Sequence, residues 1–222
     1  MHSHPWARDI TSLIFDLDGV LIQSRDVHAK AFQEVLGTSG ISDFDYDEFA
    51  GWRTSDVFRT VLNRQGHLAS EETIAECSRR KSQRARELIS AERPISADCI
   101  PSIELLAAGH RLALASSGSR QNVQAFLDYT GLRPVFQSVL CGEDVRLAKP
   151  DPEIFRQSIA QLGAQPGECA VIEDAAAGIL AARGAGAHAI GFGQANSTQL
   201  SAAGAEHIVG SLQELTVLFG HA

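Results

Sequence analysis

Leu13-Ile14-Phe15-Asp16-Leu17-Asp18-Gly19-Val20 is the most informative stretch of the chain: an apolar run ends in two carboxylates two residues apart, and a glycine follows. In a β-strand residues i and i+2 point the same way, so Asp16 and Asp18 share one side at the strand's C-terminal end. Gly19 then lets the chain turn sharply. Two like charges this close repel, and one pKa rises unless a cation lies between them or one carboxyl keeps its proton. The stretch predicts a metal site, an acid/base pair or both, against the plain alternative of a strand ending in a polar turn.

Working outward, 222 residues with 44% hydrophobic content suffice for a sizeable core, as one domain or as a domain carrying a smaller insertion. No apolar run approaches the roughly 20 residues of a membrane span, and residues 1–8 lack the apolar segment of a secretory leader. A cytoplasmic protein with no membrane partner is expected. Cys77, Cys99, Cys141 and Cys169 are far apart and form no C-x-x-C pair, so they read as reduced, buried thiols. The net charge of −8 argues against a nucleic-acid partner but leaves room for a small anionic substrate, because local charge need not follow net charge.

Residues 24–93 have helical spacing and little strand signal. Val27, Ala31, Phe32 and Val35 predict one helix, and Val57, Phe58, Val61 and Leu62 a second. A third is expected over 70–91, where Ser70, Glu71 and Glu72 give an acidic start and Arg79, Arg80, Lys81, Arg84 and Arg86 crowd the later turns. This basic cluster reads mainly as a solvated face, with one or two members able to reach over a site. From about residue 100, strands alternate with helices, the pattern of a parallel sheet with crossovers. Strands are expected at 111–116, 138–141, 169–172, 188–192 and 208–210. Helices are expected at 120–129, after Lys149-Pro150-Asp151-Pro152, and at 175–185.

In open α/β sheets ligands bind beyond the carboxyl ends of the strands, and each polar cluster of the chain falls at such an end. Asp16 and Asp18, Ser116 and Ser117, Lys149, and Glu173 with Asp174 can therefore converge. That inventory suits phosphoryl transfer: an anionic nucleophile reaches a dianionic phosphate only where positive charge and hydrogen-bond donors offset the repulsion. Lys149 and Mg²⁺ would supply the charge, with Asp16, Asp174 and a backbone carbonyl at Asp18 as oxygen ligands. Ser116 and the N–H groups of the Gly118 turn would hold the phosphoryl oxygens at a helix N-terminus.

Phe15-Asp16-Leu17-Asp18-Gly19-Val20, Ala115-Ser116-Ser117-Gly118, Lys149-Pro150-Asp151-Pro152 and Val171-Ile172-Glu173-Asp174-Ala175-Ala176-Ala177-Gly178 resemble, in order and spacing, the four motifs of the haloacid dehalogenase superfamily. The branch is the one with a helical cap that includes β-phosphoglucomutase and many small phosphatases. The resemblance implies an α/β fold: a Rossmann-like parallel-sheet core over 1–23 and 94–222, with a small α-helical cap over 24–93 inserted after the first strand. It also implies that Asp16 attacks phosphorus to form an aspartyl-phosphate, with Asp18 as acid and then base, and Ser116 and Lys149 stabilising the phosphoryl group. Asp174, helped by Glu173, would hold Mg²⁺ together with Asp16 and Asp18. Substrate contacts are expected from Ser117 and Gly118 and, in the cap, from His28, Gly51, Arg53, Thr54 and Lys81.

The cap departs from the mutase pattern. Arg53-Thr54 stands where the mutase has its serine-arginine pair, so the arginine is displaced by one residue and its fork points elsewhere. Ser82, Ala85, Gln23 and Ala175 also replace residues common in the branch. Trp52 reads equally as a packing anchor and as a pocket wall. The remaining histidines show no metal-ligand spacing and are expected to be mostly exposed. The function expected is a Mg²⁺-dependent phosphatase of a small phosphorylated metabolite, with a sugar phosphate first, acting as a monomer or weak homo-oligomer. The alternatives are a phosphohexomutase and, remotely, a non-catalytic binder of phosphorylated ligands.

Overall fold

The computed structural model describes residues 5–49, 51–66 and 69–220. Six strands, β1 (Ser12–Phe15), β2 (Arg111–Ala115), β3 (Phe136–Leu140), β4 (Cys169–Glu173), β5 (His188–Phe192) and β6 (His207–Val209), form one sheet in the order β3-β2-β1-β4-β5-β6. Every adjacent pair is parallel. Strands of a parallel sheet are buried on both faces, which explains why they read as short continuous apolar runs. Alternation still sorts them: Leu13, Phe15, Leu112, Leu114 and Ile172 enter one apolar cluster, while Ile14, Ala113, Ala115 and Val171 enter the other.

Helices α4 (Cys99–Ala107), α5 (Arg120–Thr130) and α9 (Leu212–Phe219) cover the first face. Helices α6 (Glu153–Leu162), α7 (Ala176–Gly184) and α8 (Ser197–Ala203) cover the second. Burying a Leu, Ile or Phe side chain contributes about 1.5–3 kcal/mol, so these faces dominate the stability of the core. Strand order reverses at β1, between β2 and β4, and this places a crevice at the C-terminal ends of the central strands.

Between β1 and β2 the chain runs through α1 (Arg25–Gly37), α2 (Thr54–Arg64), α3 (Glu71–Glu92) and α4. The first three have an apolar cluster of their own, in which the Phe32 ring lies 5.2 Å from both Phe44 and Phe58. Val27 and Ala31 of α1 meet Ala85 and Leu88 of α3. Ser70 caps α3 by accepting the Thr73 N–H at 3.2 Å. The two chain segments joining insert and core pair through Gln23 N–H and the Pro94 carbonyl at 2.7 Å.

The expected helices and strands over 24–93 and 111–210 are present with bounds shifted by one or two residues. Helices α4, α8 and α9 were not expected. All four cysteines are buried and free. Among the described residues, no helix is long and apolar enough to cross a membrane.

Candidate active site

Lys149 organises the inner end of the crevice. Its ammonium donates to Asp16 Oδ1 at 2.6 Å, to Glu173 Oε1 at 2.7 Å and to the Ala115 carbonyl at 3.1 Å. These groups come from the ends of β1, β4 and β2 and from the loop before α6, so one buried cation ties four segments together. Burial works against that charge, but Asp16 and Glu173 outweigh it and hold the ammonium protonated well above its usual range. Burial also pushes Asp16 up, to about 8; Lys149 opposes this, while Glu173 and Asp18 reinforce it. Glu173 is fixed from a second side, where Oε2 accepts the Ala175 N–H at 3.2 Å.

Asp18, two residues on, turns toward the insert. Its Oδ1 accepts from the Ser24 hydroxyl at 2.6 Å and lies 2.6 Å from His28 Nε2. Lys81 Nζ lies 2.9 Å from His28 Nδ1. An ammonium can only donate, so Nδ1 is the acceptor and Nε2 carries the proton toward Asp18. Burial disfavours the Asp18 charge, yet His28, Ser24 and Lys81 together hold it well below the usual carboxylate range. Burial lowers Lys81 to about 8 against the pull of Asp18. The two aspartates of the opening stretch thus face different surroundings.

Asp174 lies under the turn at Gly19. Gly19 has φ +83, and a Cβ there would fall 1.8 Å from Asp174 Oδ2, so conformation and space both require glycine. Asp16, Glu173 and Asp174 can each offer an oxygen to a common point, with the three atoms within 4.8 Å of one another. Burial, then Glu173, Asp16 and Asp18, raise Asp174 well above its ordinary value. Three crowded carboxylates facing one lysine, with oxygen as the only donor type, fit a hard divalent cation such as Mg²⁺.

Ser116 is fully buried, and its hydroxyl accepts the Gly118 N–H at 2.9 Å. The loop continues to Ser119, which caps α5 and brings that helix's N-terminus to the crevice. Asp16, Asp18, His28, Lys81, Ser117, Gly118 and Asp174 all line a small cavity of about 60 Å³. It shares Thr54, Ser82 and Ser117–Ser119 with a wider cleft of about 770 Å³ between insert and core, where Arg79, Arg86 and Arg120 also lie.

The cap residues divide. Gly51 has φ +82 and presses on the loop after β4, where its Cβ would lie 3.0 Å from that of Ala175. Trp52 is 41% exposed and meets Phe49 edge-on, so it both anchors and lines the cavity. Arg53 is not among the groups around Asp16: it donates to the carbonyls of Gly142 (3.0 Å), Val145 (2.9 Å) and Arg146 (3.3 Å). Within the basic cluster Arg79 and Arg80 are exposed, while Lys81 is the member that reaches the site, buried against His28 and 4.4 Å over the Phe32 ring. His110 is likewise buried, while His2, His4, His67 and His221 lie outside the described residues.

Sequence reasoning missed Ser24 and Tyr46, which also line the small cavity. Ser24 stands at the N-cap of α1 but makes no side-chain cap; its hydroxyl goes to Asp18 instead. A cap-type serine six residues after Asp18 was the available signal.

A parallel α/β sheet that gathers an acid pair, a serine loop, a lysine and a second acid pair under a helical insert defines a capped hydrolase of the phosphatase type. Residues 10–186 match the family described as haloacid dehalogenase-like hydrolase, and the chain belongs to that family. It is 31% identical to Protein CbbY of Cereibacter sphaeroides, covering 95% of this chain and 96% of that protein. It is 30% identical to fructose-1-phosphate phosphatase YqaB of Escherichia coli K12, over 80% and 94% of the two chains. The crystal structure of CbbY from Rhodobacter sphaeroides in complex with phosphate superposes with a TM-score of 0.79, covering 93% of this chain and 96% of that one, at 28% identity.

Proposed function

We propose that the protein is a Mg²⁺-dependent phosphatase of a small phosphorylated metabolite, a sugar phosphate first, working through an aspartyl-phosphate on Asp16. The observation that carries this reading is the separation of the two aspartates: Asp16 is bound to Lys149 beside Glu173 and Asp174, while Asp18 is held by Ser24 and His28. Surroundings this different suit two chemical roles: without a metal Asp16 is raised and Asp18 lowered, and Mg²⁺ on Asp16 together with a phosphate beside Asp18 would reverse that order, leaving Asp16 ionised for attack and Asp18 able to carry a proton. The names of the relatives, a fructose-1-phosphate phosphatase among them, support the substrate class.

In this reading an Asp16 oxygen attacks phosphorus and the ester P–O bond breaks, with the leaving oxygen taking a proton from Asp18. Asp18 is set as a base in the resting site. A dianionic phosphate arriving beside it raises its pKa, which lets it carry that proton. Asp18 then takes a proton from water as the water attacks the phosphoryl group, releasing phosphate and restoring Asp16. Lys149 and Ser116 hold the phosphoryl oxygens, and Ser117 and Gly118 shape the loop around them. Asp16 and Asp174, helped by Glu173 and Asp18, would hold Mg²⁺, which offsets the repulsion between nucleophile and phosphate. His28 and Lys81 tie closure of the cap, residues 24–93, to Asp18. Gly51 and Thr54 wall the substrate.

The test is phosphate release from a panel of sugar phosphates with Mg²⁺, including β-glucose 1-phosphate with and without glucose 1,6-bisphosphate. Release that stops with chelator is expected. Conversion to glucose 6-phosphate without release, dependent on the bisphosphate, would replace the phosphatase by a mutase.

A further inference from the structure

We propose that Arg53 is a positioning residue, a latch that holds the insert closed on the core, and that it does not read the substrate. Its guanidinium donates to three main-chain carbonyls of one loop in the core, those of Gly142, Val145 and Arg146. Charge-assisted bonds from a planar fork to several fixed acceptors are strong and directional. Arg53 precedes the first turn of α2 in extended conformation (φ −65, ψ 134), so its side chain leaves the insert from a rigid helix end.

The loop it grips is itself bonded to the site. Gly142 N–H donates to the Gly118 carbonyl at 2.9 Å, and a Cβ on Gly142 would lie 2.7 Å from the Ser117 carbonyl oxygen. The Arg120 N–H at the start of α5 donates to Glu143 at 3.0 Å. The Arg146 and Leu147 N–H groups donate to Glu153, closing the segment that carries Lys149. One side chain of the insert therefore braces both the Ser116–Gly118 loop and the Lys149 loop. Gly51, two residues earlier, rests on Ala175, so Gly51 and Arg53 bracket the crevice from the β4 and β3 sides. Both Nη2 hydrogens and one on Nη1 go to these carbonyls, so the fork that would take a second anionic group of a substrate bidentately is turned to the core loop instead, although Arg53 lines the wider cleft.

The kinetic part of the test rests on the phosphatase reading; the exchange part does not. Arg53→Ala and Arg53→Lys are compared with the wild-type protein by amide hydrogen exchange, and by kinetics on a sugar monophosphate and a sugar bisphosphate. Because the insert has its own apolar core, both variants should stay folded, with the thermal midpoint of the whole protein lowered by only a few degrees. Exchange over 142–147 should rise about tenfold or more as the brace is lost. On both substrates kcat/KM should fall by the same factor, on the order of 10- to 100-fold. Lysine should not rescue, since one ammonium cannot span three carbonyls. Exchange unchanged in Arg53→Ala, or a loss confined to the bisphosphate, would overturn the latch and return Arg53 to the substrate. If the wild-type protein hydrolyses neither ester, the phosphatase reading fails while exchange still decides the latch.

Discussion

Gly178→Ala sets local propensity against tertiary geometry. Gly178 lies inside α7, where alanine is favoured over glycine by about 1 kcal/mol, so helix propensity alone makes the variant more stable. The surroundings reverse that sign. A Cβ at this position would lie 1.9 Å from Glu173 Cδ and 2.0 and 2.3 Å from its oxygens. That carboxylate cannot swing aside freely, because it is 1% exposed, accepts from Lys149 on one oxygen and from the Ala175 N–H on the other. Overpacking costs about 1–3 kcal/mol. Breaking a buried ion pair costs about 3–5 kcal/mol when it is lost in full. Partial displacement against the propensity gain leaves a net destabilisation of about 2–5 kcal/mol. Loosening Lys149 should also lower kcat, by on the order of 10² if the phosphoryl oxygens lose its charge. Urea unfolding midpoints and steady-state kinetics read both effects. A variant as stable and as active as the wild type would refute the packing argument at Glu173.

Asp16→Asn should abolish turnover, because an amide is a poor nucleophile, and Asp18→Asn should slow it by on the order of 10²–10⁴; single-substrate kinetics check both. Lys81 lies lowered to about 8 against an ordinary 10.5. Between those values the unfolded chain binds more protons than the folded one, so stability rises with pH from about 8 to 10.5. The buried charge thus costs roughly 3 kcal/mol below pH 8, and Lys81→Met should gain more stability at pH 7 than at pH 10 in thermal melts. Asp16, at about 8, and Asp174 are both raised, so the metal-free protein binds more protons folded than unfolded and loses stability as pH climbs from about 4 to 8. Mg²⁺ should therefore raise the thermal midpoint more at pH 8 than at pH 5.5; an equal shift at both would contradict its placement among these carboxylates.

Legibility followed physical locality. Strands of a buried parallel sheet are short apolar runs, and each ends where the chain turns polar at the crevice, so the site stretches at 16–18, 116–118, 149 and 173–174 could be placed from the sequence alone. Helix α4 escaped because Pro101, which suits a helix's first turn, reads equally as a breaker beside the apolar residues around it. Lys81 stands out in the sequence as a cap residue able to reach the site, but only the packing of α3 on α1 shows that it faces His28. The displacement of Arg53 was visible, but its acceptors were not: they are main-chain carbonyls 89 to 93 residues away, and a carbonyl leaves no trace in residue identity.

The proposed mechanism turns on a covalent phosphoryl group on Asp16. With the best substrate of the panel, Mg²⁺ and rapid quenching, borohydride reduction converts an acyl phosphate into a residue that peptide mass spectrometry can locate. Reduction at Asp16, absent in Asp16→Asn and absent without Mg²⁺, is the result predicted. Full turnover with no reducible residue at Asp16, or with the label on another side chain, would contradict the account.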